Sequence, residues 1–575
     1  MTFAVRPLPL LCALAVLPAA AQQPAATPES KVRSAPTQQE RELRELNLKL
    51  LGLIDALVKS GALDEEVVKE FLRSTNEKIV EQYGPVQEQQ TPADLEQPPA
   101  EDVIRVPYIP EFIKDEIREQ VTQELTEEVT EKVVANAKQE RWGVPAALPG
   151  WVDRITFSGD VRLRGQYNRF DDNNTGAIPN TNAINDGLNI ESLSDDVLLD
   201  FTNDQDLARL RFRFDMTVEA SDYVRLHTRL STGNPDNPVS ANWTLDSDSS
   251  SDFTLDRAYF EWFNRNEGVK LQGGLMANPH FTNSQLMWDN DYDFPGLSAE
   301  YWPLRFMRSP GAAPKVFEPY IRVGYFMLDK LDRDQTDKTF YSAQLGTRIH
   351  FNVSITWETA AAYYDFKNVT GVRNPVLDLG LTNDTAPDFV QKGNTLFQIQ
   401  NSSTEGDVLL GLAAEFAVAN ISSTLTFDVT ERHQLKLNLD YLKNVGFDKQ
   451  SFLRNVGADP NGFANNPAGF VRFSEETDGY HIGMSYGDRE LWEANHWLVS
   501  IGYRYLEKDA VLDAYTDSNF HLGGTDAQGY IGKFRYSFAD RAAFSIRYIS
   551  TDEIQGLTQD GLRIDVLQTD LEFKF

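Results

Sequence analysis

The sequence predicts an all-β transmembrane antiparallel β-barrel of about 16 strands, preceded by an α-helical, coiled-coil-like N-terminal arm. Three observations predict it. From about residue 151 onward, apolar and polar residues alternate over runs longer than the ~5–6 residues of an ordinary soluble strand. Arginine and lysine keep to one phase of that alternation. Short and long connections take turns between the runs.

The chain opens with the layout of a secretory leader. Arg6 supplies a positive start, Leu8–Leu17 a short apolar run, and Pro18-Ala19-Ala20-Ala21 the small residues that place cleavage before Gln22. The apolar run is too short for the ~20 residues of a spanning helix, and no longer one follows. The single cysteine, Cys12, lies inside this leader. The mature chain is therefore expected to carry no thiol, which excludes disulfides, Cys-ligated metals and a Cys nucleophile. Lipid attachment at Cys12 would call for a small preceding residue, where Leu11 stands. A formal net charge of −32, with no separate basic stripe, argues against nucleic acid as a partner.

The arm comes next. Gln22–Gln38 is rich in Ala, Pro, Gln and Ser and reads as unstructured. Leu43, Leu46, Leu50, Leu53, Leu57 and Val58 recur at helical spacing, and Gly61 is placed to end that helix. Asp64 then caps a second helix, with Leu63 able to staple onto Val68. Residues 87–110 form a Pro-, Gln- and Glu-rich linker. In the following helix Ile113, Ile117, Val121, Leu125, Val129, Val133 and Ala137 step by four. Against a repeat of ~3.6 residues the stripe drifts around the helix, so it suits two neighbours or a right-handed wrap. It fits a helix packed on its own barrel and an oligomerising stalk equally. The organisation expected is a leader (1–21), a helical periplasmic segment (22–86), a linker (87–110), a charged helix with connector (111–150) and the barrel (151–575).

In the barrel region, Ile155–Tyr167 places apolar residues or glycine at odd positions and polar ones at even positions. Ala208, Leu210, Phe212, Phe214, Met216 and Val218 alternate with Arg209, Arg211, Arg213, Asp215, Thr217 and Glu219. Similar runs cover 224–230, 434–441 and 530–538. A charge on the lipid face would cost ~2–4 kcal/mol at mid-membrane, so one-phase arginines point to a wet interior. Tight links are expected near 221–222, 264–268, 352, 430–433, 488–493 and 539–540. Long ones are expected near 171–205, 231–252, 279–293, 367–405, 445–475 and 508–526. The stretch Asp407–Val429 is too long for one clean strand. Tyr167, Trp262, Trp302, Trp357, Trp497, Tyr505 and Tyr548 suit aromatic girdles. The last strand closes on Leu571, Phe573 and Phe575, a pattern resembling the signal that barrel-assembly machinery reads.

The join between arm and barrel resembles the proteobacterial "putative porin" family. The residues that carry the resemblance are Arg105-Val-Pro-Tyr-Ile-Pro110, Glu140-Arg-Trp-Gly143 and Leu148-Pro-Gly-Trp-Val-Asp-Arg-Ile-Thr-Phe-Ser-Gly-Asp-Val-Arg162. The resemblance implies an outer-membrane barrel with a helical N-terminal extension. It supplies no substrate and no catalytic residue.

Candidate pore-lining residues are Arg162, Arg164, Arg209, Arg211, Arg213, Arg225 and Arg229, all in the inward phase of three consecutive strands. As a basic ladder they would orient solutes and favour anions, since Arg forks bind carboxylates bidentately. The plainer reading pairs them with inward acids such as Asp160, Asp215 and Glu219. Asp171-Asp172-Asn173-Asn174 offers oxygen ligands for Ca²⁺, but matches no EF-hand loop and reads as a solvated acidic turn. Loops 367–405 and 171–205 are the candidates for an inward-folded constriction. The seven histidines are scattered, and no H-E-x-x-H, nucleophile elbow, dinucleotide or P-loop motif occurs. No catalytic residue, metal site or cofactor is therefore expected.

The leading functional expectation is passive diffusion of small hydrophilic solutes. A structural tether gripping peptidoglycan or a periplasmic partner through the arm is the second, and a barrel hydrolase the third. Outer-membrane lipid, barrel-assembly machinery and further copies of the chain are the other expected partners.

Overall fold

The computed structural model describes residues 152–575, apart from 175–177, 189–197, 235, 246–252, 265–266, 305–315, 330–336, 376–379, 401–407, 458–474 and 556–560. The leader, the helical segments, the linker and the family-like join before residue 152 lie outside the described residues.

Among the described residues sixteen long strands form one closed antiparallel sheet. They are β1 (Ile155–Phe170), β2 (Gln205–Ser221), β3 (Val224–Thr232), β4 (Phe253–Asn264), β5 (Val269–Met276), β6 (Phe294–Tyr301), β7 (Phe317–Asp329) and β8 (Lys338–His350). They continue with β9 (Ile355–Lys367), β10 (Ala417–Asp428), β11 (His433–Asn444), β12 (Asp478–Asp488), β13 (His496–Leu506), β14 (Ala527–Ala539), β15 (Ala542–Glu553) and β16 (Arg563–Lys574). Each strand pairs with the next, and β1 pairs with β16 as well as β2, which closes the sheet. Closure removes every unpaired strand edge, the condition for a sheet to sit in hydrocarbon.

Burial follows the period of two. On β8 the side chain of Leu345 is 62% exposed, while its neighbour Gln344 is 2% exposed. Leu163, Leu297, Ile321, Ile421, Ile482 and Ile501 face outward in the same way. So broad an apolar belt is unsuited to water and matched to acyl chains. Outward Trp262, Trp357 and Trp497 sit near the short-turn end of their strands, and outward Tyr167, Tyr505 and Tyr548 near the other end, as girdles at two interfaces require. Trp302 corrects the girdle expectation. It is buried, lies tilted against inward Tyr320 with ring centroids 4.6 Å apart, and donates Nε1–H to Glu300 at 2.5 Å. A residue just past a strand end is freed from the strand's phase.

The seam is sealed by backbone bonds between Gly159 and Phe575, at 3.1 and 3.2 Å. The ring of Phe575 lies across Gly159, where a Cβ would overlap it. Leu571, Phe573 and Phe575 all face outward. Residues 407–429 do not form one long strand. Leu410–Leu412 pairs with Leu396–Gln398 in a small ribbon within the 368–416 loop, and β10 starts only at Ala417. The turns after β2, β8, β10 and β14 are short, and Ile155 and Lys574 lie at that same end. At the opposite end the long loops interlock. Asn182 exchanges two hydrogen bonds with Val390, at 2.8 and 2.9 Å, and Asn394 and Thr395 bind the backbone of Lys508 and the carboxylate of Asp509.

Candidate functional site

A barrel of sixteen strands is too wide to be filled by its own wall side chains. What narrows this one is the loop of residues 277–293 between β5 and β6. Loops 171–205 and 367–405, the candidates read from the sequence, bind each other at the outer end and line the space there. Loop 277–293 reaches inward positions on distant strands. His280 meets Ser342 on β8 at 2.9 Å, and the backbone of Phe281 is held from both sides by the Gln344 carboxamide, at 2.8 and 2.9 Å. Asn283 donates to the carbonyls of Ser423 and Leu439 at 2.6 and 3.1 Å, and Ser284 to Asp440 at 2.5 Å. Trp288 and Tyr292 anchor the middle of the loop among inward aromatics. Trp288 lies within 4.8–5.6 Å of the rings of Phe294, Phe340 and Tyr364.

The open space left beside this loop is a cavity of about 1330 Å³. Asp289, Asp291, Asn283 and Gln285 bound it on the loop side. Arg162, Arg164, Arg211, Arg504, Lys533 and Arg547 bound it on the wall. The seven predicted arginines divide. Arg162 and Arg164 on β1 and Arg211 on β2 reach this constriction. Arg213 bonds directly to Asp291 of the loop. Arg209 lies in a separate chamber toward the outer end. Arg225 and Arg229 on β3 lie away from the cavity and pair with Glu219 at 3.2 Å and Asp215 at 2.7 Å.

Most of the ladder is matched by acid. Arg164 holds Asp570 bidentately at 2.7 and 2.9 Å, and Arg211 holds Asp160 at 2.8 Å. Arg504 and Arg547 share Asp517, at 3.2 and 3.0 Å. Among the described residues Arg162 binds the Asn242 carboxamide, at 2.5 Å, and no carboxylate. Arg209 and Lys533 make no ion pair among the described residues.

On the loop, burial pushes the Asp291 carboxyl up, but Arg213, Arg211 and Arg162 outweigh it and hold it down at about 2. Burial, reinforced by the charges of Asp291 and Asp517, pushes Asp289 up to about 7. The loop thus carries one fixed negative charge, at Asp291, and two carboxyls that titrate near neutrality: Asp289 beside the cavity, and Asp293, which burial pushes up to about 7 despite Arg257.

Sequence reasoning missed Arg504, Lys533 and Arg547. Their signal was present, since each sits between outward aromatic or apolar neighbours: Tyr503 and Tyr505, Gly532 and Phe534, Ile546 and Tyr548. Joining them to the ladder requires the β1–β16 seam, which no local pattern states. At the 171–174 turn, Asp171 accepts from the backbone and side chain of Asn173 at 3.0 and 2.8 Å, closing on itself. Among the described residues no cluster of three or more His, Cys, Asp or Glu is arranged to hold a metal.

The barrel is similar to several solved structures. They include Pseudomonas putida OprB at high pH (10% identity, covering 76% of this chain and 97% of that one, TM-score 0.42). They include OmpT, an outer membrane protein of Vibrio cholerae, with loop L8 deleted (10% identity, 74% and 100%, TM-score 0.36). A third is the outer membrane channel DcaP of Acinetobacter baumannii (9% identity, 73% and 97%, TM-score 0.36). No curated protein matches the chain. Residues 48–575 match the family model described as "Putative porin". With more than nine-tenths of its length inside that match, the chain belongs to the putative porin family.

Proposed function

We propose that the protein is a passive diffusion channel of the Gram-negative outer membrane for small hydrophilic solutes, with a preference for anions. The observation that carries the preference is the charge balance at the cavity beside loop 277–293. Six cationic side chains and four carboxylates line it, against an overall charge of −32 for the chain. Selectivity in a pore follows the charges at the constriction rather than the total. The fixed Asp291 opposite the wall also makes a field across the opening, which orients a passing dipole. The described residues begin at the short-turn end of the barrel with Val152–Arg154, and we place the arm that precedes them in the periplasm.

Reversal potentials across a planar bilayer in a KCl gradient test this reading. Anion preference is expected, falling in Arg162→Gln and Lys533→Gln. Cation preference that these substitutions leave unchanged would remove the anion reading. A folded barrel that passes no current would remove the channel itself.

A further inference from the structure

Toward the outer end the lumen holds a second chamber of about 1280 Å³, and its chemistry differs from that of the cavity beside loop 277–293. Neutral carboxamides dominate: Gln166, Asn168, Gln205, Asn234, Asn237 and Asn242 all line it. Several are fixed in place. Gln166 donates to Asn168, and Asn168 to Gln205, each at 3.0 Å. Asn234 and Asn237 accept the backbone N–H groups of Asp236 and Val239 at 3.0 and 3.1 Å. That orientation leaves their amide N–H groups uncommitted among the described residues.

One cation stands in this neutral lining without a partner. Arg209 has no carboxylate within ion-pair distance among the described residues, and its Nε is buried with no acceptor. The other cation of the chamber, Lys392, is committed to the backbone oxygens of His521 and Gly523. The chamber's carboxylate, Asp200, is closed on Thr202 and Asn203 at 3.0 Å each. Arg164, Arg211, Arg213, Arg225 and Arg229 are each matched by an acid of the wall or loop. A guanidinium taken from water with no counter-charge is costly. Its fork is left for an anion that comes from outside the chain.

The two features together specify a ligand. A guanidinium binds a carboxylate through two parallel N–H donors. Asn234 and Asn237 keep amide N–H donors uncommitted among the described residues, and a carboxamide oxygen has a second lone pair, so the lining can both donate to and accept from a hydroxyl. We propose that the chamber is a binding site for small polyhydroxylated carboxylates, of the uronic and aldonic acid class. The carboxylate sits on Arg209 and the hydroxyls on the surrounding amides. Asn242 lines both chamber and constriction and accepts from Arg162. Arg162, which has no carboxylate partner either among the described residues, is the next station for the departing carboxylate. This inference rests on the channel reading, because the site is reached through the lumen.

The test is ion current through the full-length protein in planar bilayers, with glucuronate, glucose or acetate added to one side. Glucuronate is expected to interrupt the current at concentrations about tenfold below those needed for acetate or glucose. Arg209→Gln should bring glucuronate to the level of acetate, while Arg209→Lys, which keeps the charge and loses the fork, keeps part of the difference. Asn237→Ala should weaken block by glucuronate and leave acetate as it was. Equal block by glucuronate and acetate in the unsubstituted channel overturns the site and leaves the channel standing. So does a glucuronate block indifferent to both Arg209→Gln and Asn237→Ala. A folded, inserted protein that passes no current overturns both.

Discussion

The two halves of the barrel interior are built on opposite plans. On β6–β9 the inward positions toward the outer end carry rings, Phe294, Phe326, Phe340, Tyr364 and Phe366, all buried, while toward the short-turn end they carry the ion pairs Arg322–Glu300 and Arg348–Glu358. From β13 around the seam to β2 the inward positions carry Arg504, Lys533, Arg535, Arg547, Asp570, Glu572, Arg162 and Arg211. The aromatic half grips Trp288 and Tyr292 of loop 277–293. The charged half stays open. The difference shows how one loop sets both the size and the chemistry of a passage. It is pinned by close packing on one side, so the remaining space lies against charge on the other.

The largest effect is expected on the aromatic half. Trp288→Ala removes the ring at the centre of the cluster and should cost about 3–5 kcal/mol of stability, as such truncations do. With the loop's anchor gone, single-channel conductance should rise and become noisy. A quiet channel of unchanged conductance would show that the polar contacts of Asn283 and Ser284 hold the loop alone. On the charged half, Asp517→Asn strips Arg504 and Arg547 of their shared, fully buried partner. Breaking one side of such a pair costs about 3 kcal/mol. The melting temperature should fall and anion preference should increase together.

A smaller effect comes from pH. Asp289, raised to about 7, takes up a proton as pH falls from 8 to 6. The loop then loses negative charge opposite the basic wall, so the anion-to-cation permeability ratio should rise about twofold. Asp289→Asn should give the higher ratio at both pH values. The linked stability has two signs. The part due to Asp289 is full below the usual carboxylate range and is lost as pH climbs through about 7. The part due to Asp291 is present above that range and is lost as pH falls through about 2.

The charged half was legible in the sequence because a charge cannot sit in hydrocarbon. Arg162, Arg164, Arg209, Arg211 and Arg213 had to share a phase, and that phase reads directly as the lumen. The aromatic half was not legible. An aromatic residue is tolerated on either face, so Tyr325-Phe326, Phe340-Tyr341 and Tyr363-Tyr364 put rings both outward and inward and blur the alternation. The constricting loop was missed for the same reason. Its polar composition resembles that of the other long loops, and its anchors Trp288 and Tyr292 acquire a partner only once β6–β9 are aligned. The acid pairing of Arg211, Arg225 and Arg229 with Asp160, Glu219 and Asp215 was foreseen as the plain alternative to a free ladder, and it is the arrangement found.

The most direct test of the two-sided lumen uses two single cysteines. The chain's own Cys12 lies in the expected leader, so an introduced thiol reports alone. Ser500 lines the open side and Ala362 the aromatic side. In reconstituted channels a negatively charged, membrane-impermeant methanethiosulfonate should lower the current of Ser500→Cys within seconds and leave Ala362→Cys untouched. Equal modification of both, or modification of Ala362→Cys alone, would contradict the account.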